Sequence, residues 1–287
     1  MMKIIESPRE AMQGFSRIIP TKNKVDYINL LLRSGFNTVE VGSIVSPKLI
    51  PQMADSLDVL RQLDLSTNAS HIMFLAVHDR GVEKLADLDA ITHISFPFSF
   101  SPTFLKLNVN STVERSLETV ELVTGLCSKK GKQAVIYISM AFGNPYDDPW
   151  DIDLLTGWVA RLRDAGARTI MLSNVSVEID AALIDRVYRA LTPAFPDMEI
   201  GLHLHTANVG WQEKVEAAWR AGCRRFDGVM AGWGGCPMAG KEMLGNLRTE
   251  NLVEFARQKG IITGIDPELF GEASSKAAKV FGKMNIE

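Results

Sequence analysis

Short runs of β-branched and other apolar residues alternate along this chain with segments whose apolar positions recur at helical spacing. One such segment begins near Trp211, where Trp211, Val215 and Trp219 share one stripe of a helix. Eight runs of the first kind predict β-strands, at residues 3–5, 38–42, 72–77, 93–98, 134–139, 169–173, 199–205 and 224–229. Strands that alternate with helices require a parallel sheet, and eight such units are the number that closes a barrel.

Glycines mark the ends of several predicted helices. Gly35, Gly166 and Gly222 each come just before a predicted strand, and glycine readily adopts the left-handed conformation that ends a helix. Two further helices are predicted within about residues 249–287, and no low-complexity linker divides the chain. The sequence therefore predicts one α/β domain over residues 1–287, an (α/β)₈ TIM barrel with extra C-terminal helices. A doubly wound open sheet is the alternative.

Length, charge and cysteine content narrow the functional class. The 287 residues suit one barrel domain, and the net charge of -3 with dispersed lysine and arginine gives no basic stripe for nucleic acid. The apolar runs fall short of the roughly 18 residues that span a bilayer, and the start lacks the pattern of a signal peptide. Three cysteines, an odd and sparse set, indicate reduced thiols. We therefore expect a cytoplasmic protein with no nucleic-acid or membrane partner.

Polar side chains follow six of the predicted strands. They are Arg9, Glu10, Gln13, Glu40, Ser43, Lys48, Tyr137, Ser139, Ser173, Asn174, His203, His205, Cys236 and Asn246. In a barrel of this type the carboxyl ends of the strands carry the active residues. We therefore expect these side chains to converge at one end of the molecule.

Two histidines on one strand are the best candidates for metal ligands. Side chains alternate along a strand, so His203 and His205 point to the same face. Glu10 and Asn246 could complete a mixed shell, whose oxygen donors favour Mg²⁺ or Mn²⁺ over a structural Zn²⁺. Asp227 could orient one of these metal ligands through a hydrogen bond, or it could form a hydrogen bond within the barrel layer. The competing interpretation is that both histidines are hydrogen-bonded core residues and that Glu10 and Asn246 are cap or turn residues.

A glycine-rich segment at residues 232–237 contains Cys236. Glycines allow a loop to move and to approach a ligand closely, and a thiol there could act as acid or base. Cys127 and Cys223 lie in helical contexts and are expected to be inert and buried. A buried, inert thiol is also the alternative for Cys236.

Arg9, beside Glu10, is a candidate for stabilising negative charge. A guanidinium is a fixed fork of donors that suits a carbonyl oxygen on which an enolate forms. The alternative is a surface salt bridge. Glu40 lies at a strand end inside the predicted barrel, where a lone carboxylate is costly unless it is paired. An ion pair between Glu40 and Arg9 would offset the cost of burying this carboxylate.

Substrate contacts are predicted for Gln13, Ser43, Tyr137 and Lys48 because each follows a strand. Lys48 is expected to open a helix, where it could meet an anion such as phosphate or remain an ordinary solvated lysine. His78 follows the third strand and is the further histidine best placed to line the cleft.

Several longer motifs resemble those of the 3-hydroxy-3-methylglutaryl-CoA lyases, within the wider group of metal-dependent barrel lyases and Claisen-type synthases. They are PREAMQ at 8–13, EVGSIVSPK at 40–48, PQMAD at 51–55, HLH at 203–205, GGCPMA at 234–239 and GNL at 245–247. The resemblance spans almost the whole chain. Taken together the motifs are specific to the lyase-like group, whereas the histidine pair is shared with the synthases.

The resemblance implies a divalent metal, Mg²⁺ or Mn²⁺, and a small acyl-CoA substrate that is cleaved to acetyl-CoA and acetoacetate. It implies four metal ligands: Glu10, His203, His205 and Asn246. It implies that Arg9 holds the thioester oxygen of the departing enolate and that Cys236 lies on a loop closing over the substrate. The predicted catalytic residues are Arg9, Cys236, Asn174 and Glu40. A homodimer is a further expectation, because terminal helices can pack across a partner.

Three positions depart from the family pattern. The family usually has aspartate in place of Glu10 and in place of Asn174, and an acidic residue where Thr206 stands. An amide cannot shuttle a proton, so Asn174→Asp is predicted to raise turnover if that position carries protons. The departures keep two alternatives open: a Claisen-type synthase acting on acetyl-CoA and a 2-oxo acid, and a weakly active or non-catalytic paralogue that binds acyl-CoA.

Overall fold

Eight parallel strands form a closed barrel in which each strand pairs with the next and the last pairs with the first. The structure is a computed structural model that describes residues 1–13, 15, 17–175, 177–234 and 244–282. The strands are β1 Lys3–Glu6, β2 Thr38–Ile44, β3 His71–Ala76, β4 His93–Phe98, β5 Gln133–Ile138, β6 Thr169–Ser173, β7 Glu199–His203 and β8 Arg225–Gly228.

Helices cover the outside of this barrel. They are α1 Pro8–Gln13, α2 Thr21–Arg33, α3 Ser56–Gln62, α4 Asp79–Ala86, α5 Pro102–Val109, α6 Val113–Lys129, α7 Ile152–Asp164, α8 Ala181–Ala194, α9 Trp211–Arg220, α10 Thr249–Gln258 and α11 Pro267–Phe281. Two 3₁₀ turns, Pro51–Met53 and Met230–Gly232, lie in the connections. Among the described residues, no helix combines the length and the apolar content needed to cross a bilayer.

The closed barrel confirms the predicted fold class and excludes the open doubly wound sheet. All eight predicted strands are present, and their ends differ from the prediction by at most two residues. The largest differences are in β2, which is two residues longer, and in β7, which ends at His203 instead of 205. The strand β7 stops early because His205 leaves the ladder and forms an isolated antiparallel bridge with Asn246.

Local sequence signals explain several helix ends. Gly35, Gly166 and Gly222 have φ angles of +82°, +93° and +107°, so the glycines predicted to end helices do adopt the left-handed conformation. The C-terminal helix α11 begins where Asp266 accepts hydrogen bonds from two backbone N–H groups, and Pro267 occupies its first turn. This helix packs against α2 on the outside of the barrel.

The barrel interior is apolar only across its middle. An isolated cluster of buried side chains forms this apolar layer: Ile5, Met73, Val135, Tyr137 and Met171. Because side chains alternate along each strand, the residues two positions before and after these also face the barrel axis. Most of them are polar, with Lys3 and His71 at the amino end and Ser139 and Ser173 at the carboxyl end, where Leu75 is apolar. The much larger apolar core lies between the strands and the helices.

Replacing Gly35 with alanine is predicted to lower the free energy of unfolding by about 2 kcal/mol. The added Cβ would lie 2.2 Å from the carbonyl oxygen of Gly264, and alanine resists the positive φ. The matched control is Gly125→Ala in α6, where a Cβ meets no atom of the described chain within 4 Å. That change should stabilise the protein slightly because alanine favours helix. Urea denaturation would measure both, and equal effects would contradict the prediction.

Candidate active site

A cavity of about 240 Å³ opens at the carboxyl ends of the strands, where the sequence predicted the site. Its polar lining includes Arg9, Glu10, Gln13, Tyr137, His203 and His205. Its apolar wall includes Val45, Leu75, Val77, Leu105 and Val109. The cavity therefore joins a polar floor at the mouth of the barrel to an apolar side formed by β2, β3 and α5.

Three buried side chains could hold a metal ion at the polar floor. One ligand atom each from Glu10, His203 and His205 lies within 4.8 Å of the other two. The Nε2 atoms of the two imidazoles are 3.1 Å apart. His203 is the last residue of β7 and His205 lies two positions beyond it, so both rings reach the same face. The chemistry of these donors, one carboxylate and two imidazoles, fits a divalent cation.

Asn246 adds an amide oxygen beside this triad. Its backbone forms the bridge with His205, and its Nδ2 donates to the carbonyl oxygen of Trp233 at 2.8 Å. Its Oδ1 is buried and has no hydrogen-bond partner among the described residues. Buried polar atoms are normally satisfied, so an unpaired acceptor at this place fits a fourth ligand.

Asp227 fixes the orientation of the His203 ring through the ring nitrogen Nδ1. Its Oδ2 accepts from the hydroxyl of Tyr137 at 2.7 Å and lies 2.9 Å from Nδ1 of His203. Nδ1 donates to the carboxylate, so the lone pair of the ring lies on Nε2, which faces Nε2 of His205; a carboxylate that accepts from the other ring nitrogen is common for histidine ligands of metals. Burial would lower the pKa of His203, but the bond to Asp227 and the charges of Asp227, Glu10 and Glu40 together outweigh it, and the pKa is raised. Burial and the neighbouring His203 lower the pKa of His205 to about 3.

Arg9 connects two carboxylates at the edge of the triad. Its Nε and Nη2 donate to Oε2 of Glu40 at 3.0 and 2.7 Å, and Nη2 also lies 2.5 Å from Oε2 of Glu10. Its Nη1 donates to Oε1 of Gln13 at 3.0 Å. Pro8 starts α1 directly after β1, which places Arg9 and Glu10 in the first turn above the barrel. The predicted pair between Arg9 and Glu40 is present and buried, so Arg9 is not in a surface salt bridge.

At both Glu10 and Glu40, burial raises the pKa of the carboxyl group and the charge of Arg9 lowers it. Burial alone would raise the pKa of Glu10, but Arg9 and the two imidazoles lower it below the ordinary value. For Glu40, burial is stronger than Arg9 and the pKa is raised. Glu10 therefore favours the charged form that a metal ligand requires.

A bulge in β2 sets the positions of Glu40 and Ser43. The register with β3 skips one residue between Glu40 and Gly42, so Glu40 pairs with Met73 and Ser43 pairs with Leu75. Met73 belongs to the apolar layer inside the barrel and Leu75 lines the cavity. Ser43 therefore faces the barrel axis beside the cavity, although it does not line the cavity itself.

Two of the predicted loop residues lie outside this cavity. Lys48 lies exposed in a turn in which the N–H groups of Leu49 and Ile50 donate to the carbonyl oxygen of Ser46, so it opens no helix and does not reach the cavity. His78 does not line this cavity but lines an adjoining one, which shares Val77 and Val109 with it. Its Nδ1 accepts from the N–H of Gly81 at 3.0 Å and caps α4.

Asn174 is fully engaged in holding the backbone of a candidate ligand. Its Oδ1 accepts from the N–H of His205 at 2.8 Å, and its Nδ2 donates to the carbonyl oxygens of His205 and Val177 at 2.8 and 2.7 Å. The side chain is buried and does not line the cavity. These contacts indicate a positioning role through His205, and the predicted catalytic role of Asn174 stays a prediction.

The role predicted for Cys236 stays a prediction, because Cys236 lies outside the described residues. The segment that leads to it passes close to the candidate ligand Glu10. A Cβ at Gly234, which has a φ of +79°, would lie 2.3 Å from the carbonyl oxygen of Glu10. Only glycine permits this approach.

The sequence reasoning missed two features near the site. The first is the apolar wall from α5, which includes Leu105 and Val109. The rule that barrel sites form at carboxyl ends applies equally to the segment after β4 and could have identified it. The second is Glu6 at the end of β1. Burial raises the pKa of Glu6 to about 8, and the carboxyl accepts from Thr249 and from the N–H of Met230.

Fold and site together define the class of the protein as a carbon–carbon lyase built on an (α/β)₈ barrel. The chain belongs to the HMGL-like family, whose model matches residues 2–276. It is 29% identical to hydroxymethylglutaryl-CoA lyase YngG of Bacillus subtilis, over 96% of this chain and 91% of the relative. It is 28% identical to (R)-citramalyl-CoA lyase of Chloroflexus aurantiacus, over 96% of this chain and 90% of the relative.

A solved structure supports the same assignment. An HMG-CoA lyase from Acinetobacter baumannii in complex with coenzyme A and 3-methylmalate superposes with a TM-score of 0.89. It is 26% identical, and the match covers 98% of this chain and 92% of that one. The resemblance inferred from the motifs is therefore confirmed at the level of family and fold.

Asn174→Asp is predicted to lower the free energy of unfolding by about 2–3 kcal/mol and to lower turnover, the reverse of the expectation from sequence. A carboxylate oxygen would replace Nδ2 and face the carbonyl oxygens of Val177 and His205. The matched control is Asn208→Asp in the following exposed loop, which should change stability by no more than about 0.5 kcal/mol. Urea denaturation measures both. Equal stability of the two variants, or a faster Asn174→Asp enzyme, would contradict the positioning role.

Proposed function

We propose that this protein is a divalent-metal-dependent lyase that cleaves 3-hydroxy-3-methylglutaryl-CoA, or a similar 3-hydroxyacyl-CoA, to acetyl-CoA and a keto acid. With the methylglutaryl substrate the keto acid is acetoacetate. The observation that carries the proposal is the triad of Glu10, His203 and His205 beside the unpaired amide oxygen of Asn246 and the buried Arg9. The two curated relatives support it because both are named as lyases of CoA thioesters.

Four side chains would hold the metal: Glu10, His203, His205 and Asn246. Mg²⁺ or Mn²⁺ fits their mixed oxygen and nitrogen donors. A bound divalent ion supplies Lewis acidity, which eases loss of the proton from the substrate's tertiary hydroxyl. Asp227 and Asn174 would keep two of these ligands in place, the first through the imidazole of His203 and the second through the backbone of His205.

The reaction breaks the bond between the carbinol carbon and the α-carbon of the thioester. The hydroxyl loses its proton and becomes the carbonyl of the keto acid, and the electron pair of the broken bond passes to the thioester as an enolate. Arg9 would stabilise the oxygen of this enolate. Four of its five N–H groups are engaged with Glu10, Glu40 and Gln13 among the described residues, which leaves one on Nη1 for the substrate. We assign protonation of the α-carbon to Cys236.

The apolar wall fits the part of the substrate that carries no charge. Leu75, Val77, Leu105 and Val109 can exclude water from the side of the cavity opposite the polar floor. Excluding water strengthens the interaction between Arg9 and a developing negative charge. A cytoplasmic location and a homodimer stay predictions.

The assay that tests the function incubates the full chain, loaded with Mn²⁺ or Mg²⁺, with 3-hydroxy-3-methylglutaryl-CoA and follows acetoacetate. A parallel reaction offers (R)-citramalyl-CoA and follows pyruvate. Formation of either keto acid with acetyl-CoA supports the proposal. Product formed only from acetyl-CoA and a 2-oxo acid would identify a synthase. Binding of the CoA thioester without any product would identify a non-catalytic paralogue.

His203→Ala is predicted to weaken Mn²⁺ binding by about 100-fold and to abolish the metal-dependent activity, since it removes a candidate ligand together with the contact that Asp227 makes to it. Chelation of the metal from the unaltered protein should have the same effect on activity. The control is His78→Asn, because asparagine also caps a helix and His78 is outside the cavity. A calorimetric Mn²⁺ titration gives the affinities. An unchanged affinity in His203→Ala would refute its role as a ligand.

Arg9→Lys is predicted to lower kcat by about 100- to 1,000-fold with a much smaller change in KM, because the loss falls on charge that develops in the transition state. Lysine keeps the charge but cannot reproduce the two-pronged contact with Glu40. Arg189→Lys on the exposed face of α8 is the matched control and should leave both constants unchanged. Steady-state kinetics measures the two variants, and a rise in KM alone would assign Arg9 to binding.

A further inference from the structure

The amino-terminal end of the barrel contains a second polar cluster, at the end opposite the candidate active site. Lys3 and Arg225 are paired positions at the starts of β1 and β8, so their side chains share one face. Glu199 begins β7, His71 begins β3 and His93 begins β4. The apolar layer that includes Ile5 and Met73 separates this cluster from the cavity above.

Arg225 is buried there with most of its guanidinium unpaired. Its side chain is 3% exposed, and its Nε and Nη2 have no hydrogen-bond partner among the described residues. Only Nη1 makes contacts, at 3.3 Å from Oε2 of Glu199 and 3.4 Å from Oδ1 of Asn37. Both contacts are long for hydrogen bonds. A buried donor without a partner is costly, and native proteins satisfy such groups with protein, water or an ion.

The unpaired edge of Arg225 has a counterpart elsewhere in the chain. Nε and Nη2 lie on the same side of a guanidinium, and with this side Arg9 holds the carboxylate of Glu40 at 3.0 and 2.7 Å. In Arg225 no described residue occupies the same edge. Two parallel N–H groups match the spacing of two oxygens in a carboxylate or a phosphate.

The charges of the cluster favour an anion over water. Glu199 is the one carboxylate that contacts Lys3 or Arg225 in the described parts of the chain. Burial, with the nearby cations, lowers the pKa of His93 to about 3 and lowers that of His71, so both rings are neutral at pH 7. Two cations therefore face one anion. Water could satisfy the free N–H groups, but only an anion also balances the charge.

We propose that the amino-terminal end of the barrel binds a small oxyanion, either inorganic phosphate or a carboxylate group, on the Nε–Nη2 edge of Arg225. Lys3, whose side chain is 41% exposed, lies on the solvent side of the cluster and adds a second positive charge. The neutral imidazoles of His71 and His93, whose ring centres are 4.7 Å apart, can supply further N–H donors. This anion site lies across the apolar layer from the candidate active site and is independent of the lyase reaction.

The test measures the thermal unfolding of the full chain at pH 7 against increasing phosphate, with sodium chloride used to keep the ionic strength constant. A second series replaces phosphate by acetate. A ligand of the folded state raises Tm in a saturable way, and we expect a rise of about 5 °C near saturation. A rise with phosphate alone identifies a phosphate site, whereas a rise with acetate alone identifies a carboxylate site. No saturable rise with either probe would overturn the proposal.

Variants of the cluster test whether the rise in Tm comes from an anion bound to Arg225. Arg225→Met removes the fork and should abolish the rise, while Lys3 keeps its pair with Glu199. If Arg225→Met does not fold, Lys3→Gln provides the second measure and should weaken the apparent affinity about 3- to 10-fold. The control is Lys22→Gln on the exposed face of α2, which should leave the rise unchanged. A rise that persists unaltered in the folded cluster variants would mean an adventitious ion only.

Discussion

Closure of the barrel by the pairing of β8 with β1 is the constraint on which the candidate site depends. Its register sets Ile5 beside Asp227 and Glu6 beside Gly228. It thereby brings α1, which carries Arg9 and Glu10, to the segments that follow β7 and β8. Ligand candidates that are nearly two hundred positions apart in the chain then lie within 4.8 Å. No local element could hold these groups together, since each offers only one or two of them.

The interior of this barrel carries opposite charge imbalances at its two ends. At the carboxyl end the guanidinium of Arg9 contacts two buried carboxylates, those of Glu10 and Glu40, and a third buried carboxyl group, that of Asp227, contacts Tyr137 and His203. At the amino end two cations face the carboxylate of Glu199. A divalent cation would balance the first set, and the small anion that we propose would balance the second. A layer of buried, mostly apolar side chains lies between the two ends.

Much of this architecture could be predicted from the sequence because it follows from local periodicity. The alternation of short apolar runs with helical stripes identified all eight strands, and the alternation of side chains along β7 identified the shared face of His203 and His205. Periodicity does not determine how individual polar side chains after the strands are placed. Whether Asn174 faces a substrate or the backbone of His205 depends on where the chain runs after β7 ends. Lys48 looked like a helix start, but a backbone turn closes on Ser46 instead.

The two departures from the family pattern that lie closest to the site change how the ligands are held. Glu10 is one methylene longer than aspartate, and an error near 1 Å at a reacting centre can cost about 100-fold in rate. Here Arg9 holds the longer carboxylate at 2.5 Å, and its oxygen still lies with the two imidazoles in the triad. Asn174 offers a donor and an acceptor at once, and both are used on the backbone of His205. An aspartate could accept from that backbone, but it could not donate to it while ionised. The amide of Asn174 therefore fixes the backbone of His205, and the guanidinium of Arg9 fixes the carboxylate of Glu10.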